Sequence, residues 1–399
     1  MNSLKFLIYG ISGVYNYGCE AIVRGTEIIL REVWPNAVIK YASSRPEDDS
    51  RRLKDTQIEI LPRKRYSRYS VRNIYRKCIS MAGFSWTPIM ESLDIFCDCD
   101  VVLSIGGDLY TMRTKGAYPS ELLKTGEYIL LRGKVFVIWG GSVGPFNKKV
   151  EELFKTHLQK VNLITSREAA STAYLKTLGI QKNVIACADP AYVVYPTESY
   201  VHRLTDSLRI GINLSPLSSR TITDQKIEVT LVEQAQTVAN LVRQLDADIV
   251  FIPHVVDHLN ERDDDLRYMR KIIENLPDDV ANKVELYDED LGFLGAKTEI
   301  RKCHIIIAAR MHCSINAISA GVPTILVSYS QKAVGMAEYV YGSRKWVIPI
   351  KEFNSLLLIN LVKDMLSEYS FIADYLKYRI PYIQDDARNA GIALAELLN

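Results

Sequence analysis

Residues Ala308 to Lys332 read AARMHCSINAISAGVPTILVSYSQK, and the plan of the whole chain can be worked out from them. The run Ile305-Ile306-Ile307 just before them is apolar and β-branched, as suits a strand buried on both faces of a parallel sheet. It delivers Arg310 and His312 to the start of a helix, and a second apolar run delivers Lys332 in the same way. In open α/β sheets ligands collect at the carboxyl ends of the strands, and a helix N-terminus adds oriented N–H groups that favour an anion. Three cationic or protonatable groups converging at strand ends therefore predict an anion site.

Outward from this stretch the β/α alternation continues in both directions. Before it come a strand at Arg209 to Leu214, a helix near Glu228 to Leu245, and a strand at Asp248 to Ile252 that ends in Pro253-His254. A charged helix near Glu261 to Asn275, a short strand at Val284 to Tyr287 and a helix near Phe293 to Cys303 complete that half. After it, Phe353 to Leu398 contains two helical patterns, the last expected to cross back onto the first domain. The first half opens with a strand at Leu4 to Gly10 and the loop ISGVYNYG (Ile11 to Gly18), then a helix from about Cys19 to Val33. Strands at Val38 to Ala42 and Ile58 to Leu61 follow. Asp100 to Gly107 runs into Asp108, Lys134 to Gly141 into Ser142, Leu163 to Arg167 into Glu168, and Val184 to Ala188 into Asp189-Pro190-Ala191. Successive strand ends that carry Gly, Asp or Arg are what a doubly wound sheet with one functional edge predicts.

At 399 residues the chain suits two domains. Tyr195 to Ser207, with Pro196, polar residues and no clear period, reads as the linker. The expected division is residues 1–199, residues 200–374 and a final helix over 375–399. The fold class expected is α/β, with two Rossmann-like domains in a GT-B-like arrangement and an active site in the interdomain cleft. Hydrophobic content of 48% and charged content of 24% are those of a globular protein. A net charge of +2 argues against a general nucleic-acid binder. Seven cysteines in apolar contexts, with no CxxC pair, favour reduced thiols in a cytosolic protein. The N-terminal apolar run is too short for a signal peptide, and no apolar stretch is long enough for a membrane span.

Charge is nonetheless uneven. Between Pro62 and Met90 there is no acidic residue, while Arg63, Lys64, Arg65, Arg68, Arg72, Arg76 and Lys77 are basic, four of the arginines at helical spacing. The segment fits either a helix that meets phosphates or a membrane surface, or an ordinary solvated face.

The ordered set NYGCEAI (Asn16 to Ile22), GGD (Gly106 to Asp108), WGGSVGP (Trp139 to Pro145), SRE (Ser166 to Glu168), DPA (Asp189 to Ala191), IPH (Ile252 to His254), RMH (Arg310 to His312) and SYSQK (Ser328 to Lys332) resembles the polysaccharide pyruvyl transferase family. The resemblance covers about residues 4 to 340. It implies phosphoenolpyruvate as donor, a pair of sugar hydroxyls as acceptor, and a ketal-linked pyruvate on an exopolysaccharide, capsule or cell-wall polymer or its lipid-linked precursor. An undecaprenyl-diphosphate-linked sugar is such a precursor. It further implies a donor side in the second domain and an acceptor side in the first. One departure is Cys19, where many members carry Asp, so a carboxylate is missing from the first loop unless Glu20 replaces it.

Phosphoenolpyruvate carries a carboxylate and a phosphate, so its site needs cationic groups, and a planar guanidinium holds either bidentately. Arg167 and Arg310 meet that need, with His254 and Lys332 as further donor contacts. His312 is expected as acid or phosphate contact, and Asp108 or Asp189 as acceptor of a hydroxyl proton. Asn16, Glu20, Gly106 and Gly107 are the expected acceptor contacts. Plainer readings stand beside these: a turn start for Asp189, a hydrogen-bonded core histidine for His254, a solvated helix-start lysine for Lys332. His157, His202, His258 and His304 match no motif and read as structural or exposed. Asp98-Cys99-Asp100 imitates a metal-binding DxD but precedes its strand, and Asp263-Asp264-Asp265 reads as a solvated helix start. No metal or cofactor is expected. The expected location is cytosolic, with peripheral contact to the inner membrane face through Arg63–Lys77. Two rivals remain: a nucleotide-sugar-dependent GT-B glycosyltransferase, and a non-catalytic binder of phosphorylated sugars.

Overall fold

The computed structural model describes residues 3–63, 71, 74–75, 78, 93–96, 98–113, 116–195, 207–220, 227–287, 289–353 and 355–399. The chain divides into two compact units. Unit 1 comprises Met1–Val14, Ile22–Pro190 and Asp386–Asn399, and unit 2 comprises Tyr15–Ala21 and Ala191–Asp385.

Unit 1 is built on a parallel sheet of seven strands, β1 (Lys5–Tyr9), β2 (Val38–Ser43), β3 (Glu59–Pro62), β4 (Val101–Ile105), β5 (Val135–Gly141), β6 (Leu163–Ser166) and β7 (Val184–Ala186). Their order is β3-β2-β1-β4-β5-β6-β7. The helices are α1 (Tyr17–Val33), α2 (Pro46–Arg52), α3 (Ser120–Leu131), α4 (Glu151–Leu158) and α5 (Ala169–Thr177). β4 reads VVLSI and is buried at every position, because crossover helices cover both faces of a parallel sheet. Asn16 caps α1 by accepting from Gly18 N (2.9 Å). The order reverses direction between β1 and β4, which makes that pair the switch point of the sheet.

Unit 2 repeats the plan with six parallel strands, β8 (Arg209–Asn213), β9 (Asp248–Phe251), β10 (Val284–Leu286), β11 (Ile305–Ala308), β12 (Thr324–Ser328) and β13 (Val347–Pro349). Their order is β10-β9-β8-β11-β12-β13, with the switch point between β8 and β11. Its helices are α6 (Pro216–Ser219), α7 (Ile227–Leu245), α8 (Asp265–Ile273), α9 (Asp278–Ala281), α10 (Gly292–Ile300), α11 (Met311–Ser319), α12 (Gln331–Tyr341), α13 (Ser355–Ser367) and α14 (Tyr369–Leu398). The last residues of α14 return to unit 1, where Gly391 lies against Ile29 and Arg388 Nε donates to Glu32 Oε2 (2.8 Å).

Two expectations change. The charged helix expected near Glu261 begins as a 3-10 turn, Glu261–Asp263, and only then becomes α8. Asp264 and Asp265 are not solvated: they are 2% and 0% exposed. Asp264 caps α8 by accepting from Arg267 N (2.8 Å), and its other oxygen accepts from Asp257 N (2.9 Å). Buried carboxylates need such donors.

Of the basic segment, Lys64, Arg65, Arg68, Arg72, Arg76 and Lys77 lie outside the described residues, and Arg63 pairs with Glu121 (2.7 Å). His202 and most of the expected linker also lie outside them. Asp98 binds Lys5 (2.6 Å) and Lys40 (2.8 Å), and the lysines hold its carboxyl at about 2. Among the described residues no helix is long and apolar enough to cross a membrane.

Candidate functional site

The strongest cluster lies on the carboxyl edge of the unit 2 sheet. β11 is fully buried and ends at Ala308, and the chain then turns at Arg310, the N-cap of α11, with φ −88° and ψ 129°. His312 is the second residue of α11, and Lys332 the second residue of α12, which follows the neighbouring strand β12. Arg310, His312 and Lys332 are each half-buried. The first amides of a helix have no partner within it, so two helix N-termini bring oriented N–H groups to the same sheet edge as the cations.

Arg310 is held in place by Asp265. Its Nε donates to Asp265 Oδ1 (3.1 Å), and its Nη2 to the same oxygen (2.7 Å) and to the carbonyl of Asp263 (3.0 Å). Asp265 also accepts from His254 N and Val255 N, both at 3.1 Å. Burial works against the charge on Arg310, and Asp265 more than offsets it, so the guanidinium stands above its ordinary pKa. Asn213, the last residue of β8, accepts from Arg310 N (2.9 Å) and donates to Ile252 O (2.9 Å). Among the described residues, Nη1 of Arg310 has no hydrogen-bond partner.

His254 follows β9 and is 1% exposed. Burial first, and the charges of His312 and Arg310 after it, push its imidazole down to about 3, against the carbonyls of Ile252 and Pro253. The ring is therefore neutral at physiological pH, and its Nε2 lies 3.1 Å from Asn316 Nδ2 on α11. A neutral ring committed to Asn316 has no charge to offer an anion. The structure places His254 as the hydrogen-bonded core histidine that its position after Pro253 also allowed.

Residues Tyr15 to Ala21 belong to unit 2 and run beside the segment after β9. Tyr17 N donates to His254 O (2.9 Å), Val256 N donates to Tyr15 O (3.1 Å), and Asn16 bridges Val255 in antiparallel fashion. Tyr17 OH donates to Asp290 (2.7 Å). Glu20, 2% exposed, accepts from Phe293 N (2.9 Å) in the first turn of α10, where the helix dipole favours a carboxylate. Asn16 and Glu20, expected as acceptor contacts, thus have their side chains engaged inside the fold, and Glu20 does not present its carboxylate in place of the Asp missing at Cys19. Gly18 lies directly under His312: a Cβ there would overlap Cγ, Nδ1 and Cβ of that side chain. Only glycine leaves the imidazole room at this point.

In unit 1 the corresponding edge holds Arg167, Asp189, Gly106, Gly107 and Asp108. Arg167 follows β6, is 3% exposed, and donates through Nη1 to Asp189 Oδ2. Burial opposes its charge, and Asp189, Glu168 and Asp108 together more than offset this. Glu168 accepts from Ser142 Oγ (2.7 Å). Gly106 has φ 131°, and a Cβ on Gly107 would strike the guanidinium of Arg167. Asp189 is thereby the counter-ion of Arg167, while Asp108 is exposed at the end of the β4 loop.

Asn213 and Asn316 were not singled out from the sequence, and Asp265 was read only as part of a solvated helix start. A signal existed for two of them: Asn213 is a polar residue closing an apolar strand, and Asn316 falls on the apolar face of its helix. His157 and His304 are buried, at 2% and 4% exposed, and His304 Nδ1 accepts from Arg209 N (3.1 Å).

The sequence profile of a family described as polysaccharide pyruvyl transferase matches residues 16–331. The amylovoran biosynthesis protein AmsJ of Erwinia amylovora is 24% identical over 406 residues, which covers 92% of this chain and 94% of that protein. Among solved structures, a protein described as a UDP-N-acetylglucosamine 2-epimerase from Listeria monocytogenes matches with a TM-score of 0.61 at 13% identity, over 97% of this chain and 94% of that one. The UDP-GlcNAc 2-epimerase of Neisseria meningitidis, bound to UDP-GlcNAc, gives 0.59 at 13% identity, over 99% of both chains. Anabaena HepE, in complex with UDP and glucose, gives 0.55 at 10% identity, over 99% of both. At these identities the likeness concerns the fold alone, which is the α/β architecture of two Rossmann-like domains found in GT-B glycosyltransferases and related epimerases.

Proposed function

Because this chain belongs to the polysaccharide pyruvyl transferase family, we propose that it moves pyruvate from phosphoenolpyruvate onto two hydroxyls of a sugar as a ketal. The acceptor is a repeating unit of an exopolysaccharide, capsule or cell-wall polymer, carried on a lipid-linked precursor such as an undecaprenyl-diphosphate-linked sugar. The observation that supports this most is the placement of Arg310, His312 and Lys332 at helix N-termini on the carboxyl ends of the adjacent strands β11 and β12.

The enol carbon of phosphoenolpyruvate takes a proton and becomes a methyl group. One sugar hydroxyl then bonds to the carbon that bears phosphate, the carbon–oxygen bond to phosphate breaks, and the second hydroxyl closes the ketal. Of the two hydroxyl protons, one balances that taken up by the enol carbon and the other leaves with inorganic phosphate. Arg310, fixed by Asp265, orients the anion; Lys332 and the first amides of α11 and α12 stabilise its charge. His312 is the proton-transferring group beside them. In unit 1, Asp189 is paired with Arg167, so Asp108 is the carboxylate assigned to deprotonate a hydroxyl. Proton transfer and charge stabilisation assist each of these bond changes, and both are assigned to side chains and helix amides without a metal. Contact with an anionic lipid surface falls to the segment Arg63–Lys77, whose basic residues suit it.

The test is release of inorganic phosphate from phosphoenolpyruvate on addition of lipid-linked sugars, with the ketal identified by mass. His312→Ala and Asp108→Asn are expected to abolish both. Phosphate release that persists in His312→Ala at the wild-type rate would remove His312 from the mechanism.

A further inference from the structure

Arg220 follows α6 on the loop leaving β8, the strand that pairs with β11 at the switch point of unit 2. Its Nη1 donates to Oδ1 of Asp263 (3.0 Å), while Nη2 of Arg310 donates to the carbonyl of the same residue (3.0 Å). Two guanidinium groups, one from each side of the switch point, therefore meet at Asp263. Their circumstances differ. The carboxylate of Asp265 is fully buried and cancels the charge of Arg310, whereas Arg220 and Asp263 form an exposed pair, with side chains 32% and 44% accessible. Exposed pairs hold weakly and exchange readily. Among the described residues Nε and Nη2 of Arg220 have no partner.

We propose that Arg220 is the residue that binds the phosphoryl group of the donor, exchanging the Asp263 carboxylate for the incoming dianion while Arg310 stays fixed on Asp265. This rests on phosphoenolpyruvate as the donor. The reason lies in charge. The ligand brings a carboxylate and a phosphate, and Arg310 with its buried counter-ion contributes geometry but no net charge. Lys332 answers one of the ligand's negative charges; the remainder calls for a further cation that can leave its present partner, and a guanidinium offers phosphate two parallel N–H bonds. Arg220 lies outside each of the motifs quoted in the sequence analysis.

The experiment is titration of the full chain with phosphoenolpyruvate, inorganic phosphate and pyruvate, for wild type, Arg220→Gln and Arg220→Lys. Arg220→Gln is expected to weaken phosphoenolpyruvate and phosphate by about ten- to a hundredfold, the range of a lost charge-assisted bond, and to leave pyruvate within about twofold. Arg220→Lys recovers part of the loss, and melting temperatures stay near wild type because the pair is exposed. Unchanged phosphoenolpyruvate affinity in Arg220→Gln overturns the proposal. So does equal weakening of all three ligands, which would mark a structural role. A wild-type protein that binds none of them overturns the donor itself, a failure seen before any variant is compared.

Discussion

Substituting alanine for Asp265 removes the buried counter-ion of Arg310 and the acceptor of two backbone amides, those of His254 and Val255. Leaving a buried charge without its partner costs about 3–5 kcal/mol. Each stranded amide adds about 1 kcal/mol or more. The losses share one site and do not simply add, so the expected cost is about 5 kcal/mol, comparable to the whole stability of many domains. The double variant Asp265→Ala/Arg310→Met removes the charge as well, and only the amides remain unsatisfied. It is expected to be about 3 kcal/mol more stable than Asp265→Ala alone, since removing both partners of a buried pair costs less than removing one. Urea denaturation followed by fluorescence and circular dichroism measures the difference. A loss below about 1 kcal/mol in Asp265→Ala, or a double variant less stable than the single one, would refute the argument that Asp265 exists to carry Arg310.

Three further outcomes follow from the same geometry. Gly18→Ala is expected to push the His312 side chain aside and to abolish phosphoenolpyruvate-dependent phosphate release while the fold survives; wild-type turnover would show that the position of His312 does not govern the reaction. Burial pushes the His157 imidazole down to about 4, and its ring nitrogens have no hydrogen-bond partner among the described residues. The unfolded chain then binds the extra proton between the ordinary value near 6.5 and about 4, so stability falls as pH drops through that window, and His157→Leu should flatten the loss in acid denaturation curves. Lys297, fully buried with Nζ donating to Val194 O and Ser319 Oγ (both 2.7 Å), is pushed down to about 7 by burial. Here the unfolded chain is the more protonated between about 7 and 10.5, so stability rises with pH across that range by up to about 1.4 kcal/mol per unit, and Lys297→Met should abolish the rise.

Strand-forming stretches such as VVLSI in β4 and the isoleucine run of β11 could be read directly, because burial on both faces of a parallel sheet leaves an uninterrupted apolar signature. The same holds for Arg310, His312 and Lys332, whose place just beyond such runs fixes them at strand ends. What neutralises Arg310 was not visible. Asp265 sits in a run of three aspartates that imitates a solvated helix start, and only the pairing of β8 with both β9 and β11 brings it to Arg310. An arginine set down at a buried strand end requires a carboxylate, but no local pattern says which one. Glu20 misleads for a different reason. Its acceptor-loop motif is local, but its partner, the amide of Phe293, is 273 residues away, and no local pattern reports such a contact. His254 was ambiguous in sequence because a histidine after a strand serves equally as ligand or as core; burial and the contact of its Nε2 with Asn316 give it the surroundings of a core residue.

The most direct test of the donor assignment is calorimetric titration of phosphoenolpyruvate and of uridine diphosphate sugars into wild type and Arg310→Ala. Binding of phosphoenolpyruvate that is lost in the variant, with no heat from the sugar nucleotides, is the predicted result. Tight binding of a uridine diphosphate sugar with none of phosphoenolpyruvate, even after acceptor sugars are added, would contradict it.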